Sequence, residues 1–208
     1  MSQGGDVAWS GSRSLLGAIF LYDLQRQGKL HYVALSNYPA WQVTQALWIA
    51  DDRHLAAAPV CAQVKYNLID RAAEHELAPA CQQFGLSIVP FGPLHGGLLA
   101  GMQVEEREIS GDKRFGGSGF TETELEIGRA VERLSQEWGL QPYQVSLAWL
   151  LSRPAVASAI VDAETAEEVT ANATAADVTL DQGPARRPDG TASRQGQLNE
   201  TSTMPNPA

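Results

Sequence analysis

The sequence predicts an α/β fold with a parallel sheet. Four short runs, residues 30–35, 60–64, 86–89 and 157–161, are apolar or rich in Val and Ile. Continuous apolar runs of this length are typical of parallel strands that are buried on both faces. Between these runs the apolar residues follow a helical spacing, and helices that alternate with parallel strands define the α/β class.

Six helices are predicted, at residues 14–27, 40–50, 72–84, 122–137, 143–152 and 166–173. Thr121 and Thr165 are each followed three residues later by a glutamate, which is the pattern of a capping box. Pro142 suits the first turn of the fifth helix, because a backbone N–H is not needed there. These signals place three helix starts.

Each predicted strand ends in a polar or aromatic cluster, at residues 36–38, 65–67, 91–93 and 162–164. The carboxyl ends of parallel strands lie at one edge of the sheet, and ligands of α/β proteins bind at that edge. Any one cluster would fit an ordinary loop start. Four in succession predict a binding site.

The chain divides into three regions: an irregular N-terminus (1–12), an ordered domain (13–181) and a disordered tail (182–208). From residue 183 onward the sequence is rich in Gly, Pro, Ser, Thr and Asn and has few large apolar residues, so it cannot bury enough surface to order itself. Residues 101–120 form a glycine-containing, charged connection without periodicity. We expect a functional loop such as a lid there, or disorder.

Composition narrows the function classes. The 208 residues carry 15 Lys and Arg against 24 Asp and Glu, a formal charge of −9, which argues against nucleic-acid and anionic-membrane surfaces. We find no signal-peptide pattern, so a cytoplasmic location is expected. Cys61 and Cys81 fit neither a disulfide framework nor metal-ligand spacing. They are predicted to be buried thiols, and no metal site is predicted.

Three blocks resemble the aldo/keto reductase family. They are QGKLHYVALSNY at 27–38, QVKYNLIDR at 63–71 with PFGPLHGGLLAG at 90–101, and LAWLL at 147–151 with SAIVDAET at 158–165. They stand in family order and cover about residues 15–181. The resemblance implies parallel (β/α) units of a TIM barrel, incomplete, with about the last four of the eight strands. It also implies NAD(P)H-dependent reduction of aldehydes or ketones.

The resemblance implies cofactor contacts at the strand ends. Ser36, Asn37 and Gln63 would hydrogen-bond the nicotinamide carboxamide, although Gln63 could instead satisfy local backbone groups. Phe91 would stack on the nicotinamide ring. The predicted cofactor-binding residues are Ser36, Asn37, Gln63, Phe91, Gly92, Pro93, Leu94, Gly96, Leu98, Ala163, Glu164, Thr165, Glu168 and Asn172. Among these, backbone amides around Leu94, Gly96 and Leu98 would approach the pyrophosphate, and Asn172 would hold the adenine.

The family pattern also argues against a preference for NADP over NAD. Asp162 and Glu164 stand where the family often has a glycine and an arginine near the 2′-phosphate. Glu167 and Glu168 add negative charge at a helix N-terminus that would otherwise suit a phosphate. The cofactor is therefore NADP or NAD, and the four carboxylates favour NAD.

No catalytic residue is predicted in this chain. The family places its catalytic Asp, Tyr, Lys and His before the block at Gly28, and only about 27 residues precede it here. Lys65 and Tyr66 do not replace the missing pair, because adjacent strand residues point to opposite faces. We therefore expect this chain to be inactive alone and to act on a small carbonyl substrate only when complemented.

Two further interpretations stay open: a non-catalytic module that binds cofactor or a partner protein, and a truncated gene product. A half barrel would leave an open sheet edge, so self-association through that edge is also expected.

Overall fold

The computed structural model describes residues 20–21, 23–52, 54, 58–101 and 119–180. The predicted N-terminus, the connection from 102 to 118, the tail from 182 and the first part of the predicted helix 14–27 lie outside these residues. Residues 23–26 are helical. The strands are β1 (Val33–Ser36), β2 (Pro59–Gln63) and β3 (Ser87–Ile88). The helices are α1 (Ala40–Asp52), α2 (Leu77–Phe84), α3 (Glu122–Trp138), α4 (Pro142–Leu151) and α5 (Ala166–Ala173). Short 3-10 segments cover Ala72–Glu74, His95–Ala100 and Thr174–Asp177.

The sheet is parallel, with the strand order β1–β2–β3. This confirms the α/β class with a parallel sheet. The predicted strand at 157–161 is wrong as a continuous strand: Val156 and Ile160 make isolated parallel bridges to Ile88 and Phe91. Pro90 gives the physical reason. The amide of Ala157 donates to Ile88 O, but Pro90 has no N–H with which to donate the next ladder bond.

The main core covers one face of this sheet. Leu35, Ala62 and Ile88, which are neighbours across the three strands, are all buried. They pack with residues from α1, α2 and α4, namely Val43, Cys81 and Leu150. Along β1 the other face is exposed, since its burial alternates from residue to residue. Within the described residues, the expectation of strands buried on both faces is therefore wrong.

The predicted helix 72–84 is divided in two. Residues Ala72–Glu74 form a 3-10 turn, and α2 begins only at Leu77. A helix running through from Ala72 would need an N–H on Pro79 to bond the carbonyl of His75. With its start at Leu77, Pro79 falls in the first turn, where no N–H is required.

The starts of α3 and α4 follow the sequence signals. Thr121 and Glu124 form the predicted capping box, and Pro142 is the first residue of α4. Gly128 on α3 lets the helix approach closely, because a Cβ there would lie 3.0 Å from Leu98 Cδ1. The segment after β3 is thereby packed onto α3.

The cysteines are both free. Cys81 is buried as predicted, and burial raises the pKa of its thiol. Cys61 is only half-buried, so the prediction of burial is wrong for this residue, which stands on β2 next to exposed Val60. Among the described residues there is no helix with the length and apolar character needed to cross a membrane.

Candidate functional site

The carboxyl ends of the strands define the site. Ala62, Val64 and Tyr66 belong to the main core, so strand alternation directs Gln63 and Lys65 to the opposite face. Ser36 lies opposite Gln63 in the register of β1 and β2, and Lys65 is bridged to Phe91. We call the face that carries Ser36, Gln63, Lys65 and Phe91 the open face.

The chain turns sharply where β1 ends. Asn37 has a left-handed backbone with φ 60°, and its amide donates to Gln63 O at 2.9 Å. This bond places Asn37 beside the end of β2. Ser, Asn and Gln side chains donate and accept hydrogen bonds, as a primary carboxamide does. Phe91, which is half-buried, lies on the same face of the sheet through its bridge to Lys65.

The loop that follows β3 runs from Gly92 to Gly101. Gly92, Gly96, Gly97 and Gly101 all have φ between 61° and 91°. The amides of residues 95, 97 and 99 donate to carbonyls within the loop and therefore curl it onto itself. The predicted pyrophosphate-binding positions 94, 96 and 98 lie in the same loop. Leu98 is fully buried against α3, so its predicted role rests on its backbone alone.

A polar cluster holds this loop against the end of β2. One oxygen of Asp70, Oδ2, is 3.0 Å from Lys65 Nζ, 3.0 Å from Asn67 Nδ2 and 2.9 Å from His95 Nδ1. Burial opposes ionisation of Asp70. The hydrogen bonds from His95, Lys65 and Asn67 outweigh burial and hold the pKa of this carboxyl well below its usual range. Asp70 is therefore an anion that anchors three donors.

Asn67 lies at the centre of the cluster. It is 1% exposed, and its Nδ2 donates to Gly92 O at 2.9 Å as well as to Asp70. Its Oδ1 accepts from the amides of Ile69 and Asp70 at 2.8 and 2.7 Å. A single buried side chain thus fixes both the turn after β2 and the start of the loop after β3.

His95 extends the cluster to α3. Its Nε2 lies 3.1 Å from Glu124 Oε1, and its ring packs on Phe120 with centroids 5.7 Å apart. Burial opposes ionisation of Glu124, but hydrogen bonds from Thr121 and the proximity of His95 lower the pKa of this carboxyl. Our sequence reading missed Asn67, Asp70, His95 and Glu124 as a group. The available signals were the polar run after β2 and a lone histidine within a glycine-rich loop.

Lys65 and Tyr66 are separated, as alternation predicted. Tyr66 is 2% exposed, donates to Glu74 Oε1 at 2.7 Å and meets Trp149 edge to face at 5.8 Å. Burial, followed by the hydrogen bond to Glu74 and its charge, raises the pKa of the Tyr66 phenol above its usual value. Tyr66 therefore lies under the helices, away from the open face, and does not share a site with Lys65.

The segment that leads into α5 is acidic and capped by its own side chains. Glu168 Oε2 accepts from the amide of Glu164 at 2.7 Å, and Thr165 Oγ1 accepts from the amide of Glu168 at 3.1 Å. Ala163 and Asn172 are half-buried on this segment, whose residues 157–180 contain no Lys or Arg. Two amides at the start of this helix therefore already bind protein oxygens.

Comparison with known proteins identifies the family of this chain. A family model described as "Aldo/keto reductase family" matches residues 13–190. An uncharacterized oxidoreductase of Bacillus subtilis, YrpG, is 31% identical over 156 residues, which are 75% of this chain and 47% of that protein. An aryl-alcohol dehydrogenase (NADP+) of Phanerodontia chrysosporium is 29% identical over 168 residues, 77% of this chain and 43% of that protein.

A probable voltage-gated potassium channel subunit beta of Oryza sativa subsp. japonica is 28% identical over 160 residues, 73% of this chain and 48% of that protein. The chain therefore spans a little under half the length of these curated relatives. The family match covers most of the chain and includes every strand of the sheet and the loop after β3. The chain belongs to the aldo/keto reductase family.

Proposed function

We propose that this chain binds a nicotinamide dinucleotide at the open face and serves the NAD(P)H-linked reduction of aldehydes or ketones. One observation carries the proposal: Ser36, Asn37 and Gln63 come together at the ends of β1 and β2, and the ring of Phe91 lies on the same face. When bound, the cofactor supplies the hydride. The chain's own residues orient its carboxamide and ring.

The loop 92–101 is proposed to meet the pyrophosphate. Its glycines allow the backbone to approach the phosphates closely, and its internal hydrogen bonds define its shape. The acidic start of α5 is proposed to face the adenosine end. Because residues 157–180 contain no Lys or Arg and the amides of Glu164 and Glu168 already bind protein oxygens, NADH is proposed as the preferred cofactor over NADPH.

Reduction of a carbonyl also needs a proton donor beside its oxygen. Tyr66 does not meet this requirement, since it lies on the covered face with its hydroxyl bound to Glu74. We propose that this chain contributes cofactor binding and that it does not turn over carbonyl substrates alone. A small-molecule carbonyl substrate would be reduced when a proton donor is supplied to the open face.

The test measures binding and turnover on one preparation. NADH and NADPH are titrated into the purified chain by calorimetry, and the decay of NADH absorbance is then followed with 4-nitrobenzaldehyde. The proposal predicts saturable binding that is tighter for NADH, with turnover no faster than the protein-free rate. Absence of binding by the folded chain contradicts the proposal, and rapid turnover contradicts the inactive-alone part of it.

A second candidate is a non-catalytic module that binds a cofactor and a partner protein. The relative named as a probable voltage-gated potassium channel subunit beta favours it, since that name describes a subunit that assembles with a channel. Cofactor binding without turnover, even after a complementary barrel half is supplied, would support this module over a reductase.

Self-association is proposed through the open edge of β1. In the described part of the chain only β2 pairs with this strand, and Tyr32 just before it is 78% exposed. An unpaired strand edge is a template for another strand. Sedimentation of the purified chain at micromolar concentration is expected to show a dimer, and a monomer there would contradict the proposal.

A further inference from the structure

His95 is a polar side chain of the loop 92–101 that bonds two neighbouring elements. The imidazole bonds Asp70 after β2 through Nδ1 at 2.9 Å and Glu124 at the start of α3 through Nε2 at 3.1 Å. The side chain is 9% exposed. His95 therefore joins three segments that are far apart in sequence.

We propose that His95 is a positioning residue, which holds the loop in the conformation whose backbone amides receive the cofactor pyrophosphate. This inference rests on the cofactor binding proposed above. Two consecutive glycines, Gly96 and Gly97, follow His95 with φ 64° and 91°. Such a sequence has wide conformational freedom when it is not held. Restricting it before the ligand arrives removes an ordering cost from binding.

The chemistry of the contacts explains why a histidine stands here. Asp70 and Glu124 approach opposite nitrogens of the ring, and ionised carboxylates only accept hydrogen bonds. The ring therefore satisfies both partners when each nitrogen carries a proton. An amide side chain can replace only one of these two hydrogen bonds. Asn places its nitrogen near the Nδ1 position, which faces Asp70, and Gln places its nitrogen near the Nε2 position, which faces Glu124. An aliphatic side chain matches neither.

The backbone of His95 supports the same reading. Its φ of 45° lies in the left-handed region, which non-glycine residues adopt with strain. The surrounding structure must therefore hold it there. The two carboxylate bonds, together with the ring contact to Phe120 at 5.7 Å, supply that restraint. The loop reaches its conformation through contacts with β2 and α3, and local sequence alone does not impose it.

The experiment compares cofactor affinity with stability in four variants. His95→Leu removes the hydrogen bonds to both carboxylates, while His95→Asn and His95→Gln each keep one of them. Val43→Ala is the control, because Val43 on α1 is buried in the main core, whereas Leu98 and Leu99 of the loop belong to two other hydrophobic clusters. The dissociation constant for NADH and the unfolding midpoint in denaturant are measured for each.

His95→Leu is expected to weaken NADH binding about tenfold or more, the scale of a misplaced binding group. His95→Asn and His95→Gln are expected to fall between it and the wild type. Val43→Ala is expected to lower the unfolding midpoint and leave the affinity within about twofold. This pattern, including partial rescue by the variants that keep one hydrogen bond, distinguishes a positioning role of His95 from a general effect on stability.

Two results would overturn the inference while cofactor binding by the wild type stands. One is unchanged NADH affinity in all three His95 variants. The other is an equal loss in Val43→Ala, which would make the effect a general consequence of destabilisation. A folded wild type that binds no dinucleotide overturns this inference together with the proposed function.

Discussion

Replacing Asn67 with alanine removes four hydrogen bonds from a side chain that is 1% exposed. One of them binds the ionised Asp70, and three involve neutral backbone groups. A neutral bond contributes about 1 kcal/mol net and a bond to a charged group about 2 kcal/mol. The sum is about 5 kcal/mol if nothing relaxes. Asp70 is 31% exposed, so water can replace part of its lost contact, and we expect a loss of about 3 kcal/mol.

The assay is chemical denaturation followed by circular dichroism. The matched control is Asn172→Ala on α5, a helix with no buried residues, and it is expected to change stability by less than about 0.5 kcal/mol. Asn67→Asp tests the two ends of the side chain separately, since it keeps an acceptor for both amides but turns an oxygen towards Asp70. It is expected to destabilise as well. A loss below about 1 kcal/mol in Asn67→Ala would refute the central role of this residue.

Three further predictions follow from the same structure. Gly101→Ala is expected to cost about 3 kcal/mol, because φ is 81° and the new Cβ would lie 2.4 Å from Pro142 Cγ. Gly85→Ala, with φ 69° and open space around it, is expected to cost only about 1 kcal/mol; equal losses in denaturation would refute the clash. Because the pKa of Asp70 is lower in the folded than in the unfolded chain, its ionisation stabilises the fold at pH values above the unfolded-state pKa of about 3.9. This stabilisation is lost as the pH falls below that value. Asp70→Asn is therefore expected to flatten the acid limb of the stability curve, and an unchanged limb would contradict the sign. Glu164→Arg is expected to shift relative affinity towards NADPH by about tenfold, and calorimetry that shows no shift would contradict the electrostatic argument.

Several helix starts could be predicted from the sequence because their signals are local. The capping box at Thr121 and Glu124 and the proline at the start of α4 are signals contained within four residues, and both helix starts follow them. The same locality explains the error at 72–84. The missing N–H of Pro79 limits where α2 can begin. The spacing of apolar residues, from which the helix was predicted, carries no information about this missing donor.

Long-range pairing explains most of the remaining differences. Whether the segment 157–161 forms a strand depends on its neighbour, because Pro90 on the adjacent segment of the chain cannot donate to it. The predicted capping box at Thr165 and Glu168 differs from the structure in a smaller way. Thr165 accepts from Glu168 as predicted, yet the Glu168 carboxylate binds the amide of Glu164. The order of residue types does not predict whether the Glu168 carboxylate accepts from the amide of Thr165 or from that of Glu164.

The candidate site divides in the same way. The strand ends at Ser36, Gln63 and Phe91 could be placed at one edge from the order of the strands, and the structure brings them there. The polar cluster could not be assembled from the sequence, since His95 lies 25 residues from Asp70 and 29 from Glu124. Only the folded chain brings these groups within hydrogen-bond distance.

Calorimetric titration of NADH into the wild type, Gln63→Ala and Gln82→Ala tests cofactor binding at the open face most directly. Gln63 lies opposite Ser36 at the end of β2, whereas Gln82 is an exposed residue of α2 that serves as the matched control. Cofactor binding at the open face predicts a saturable titration that is equal for the wild type and Gln82→Ala and about tenfold weaker for Gln63→Ala. Equal affinity in all three proteins, or no binding by the folded wild type, would contradict it.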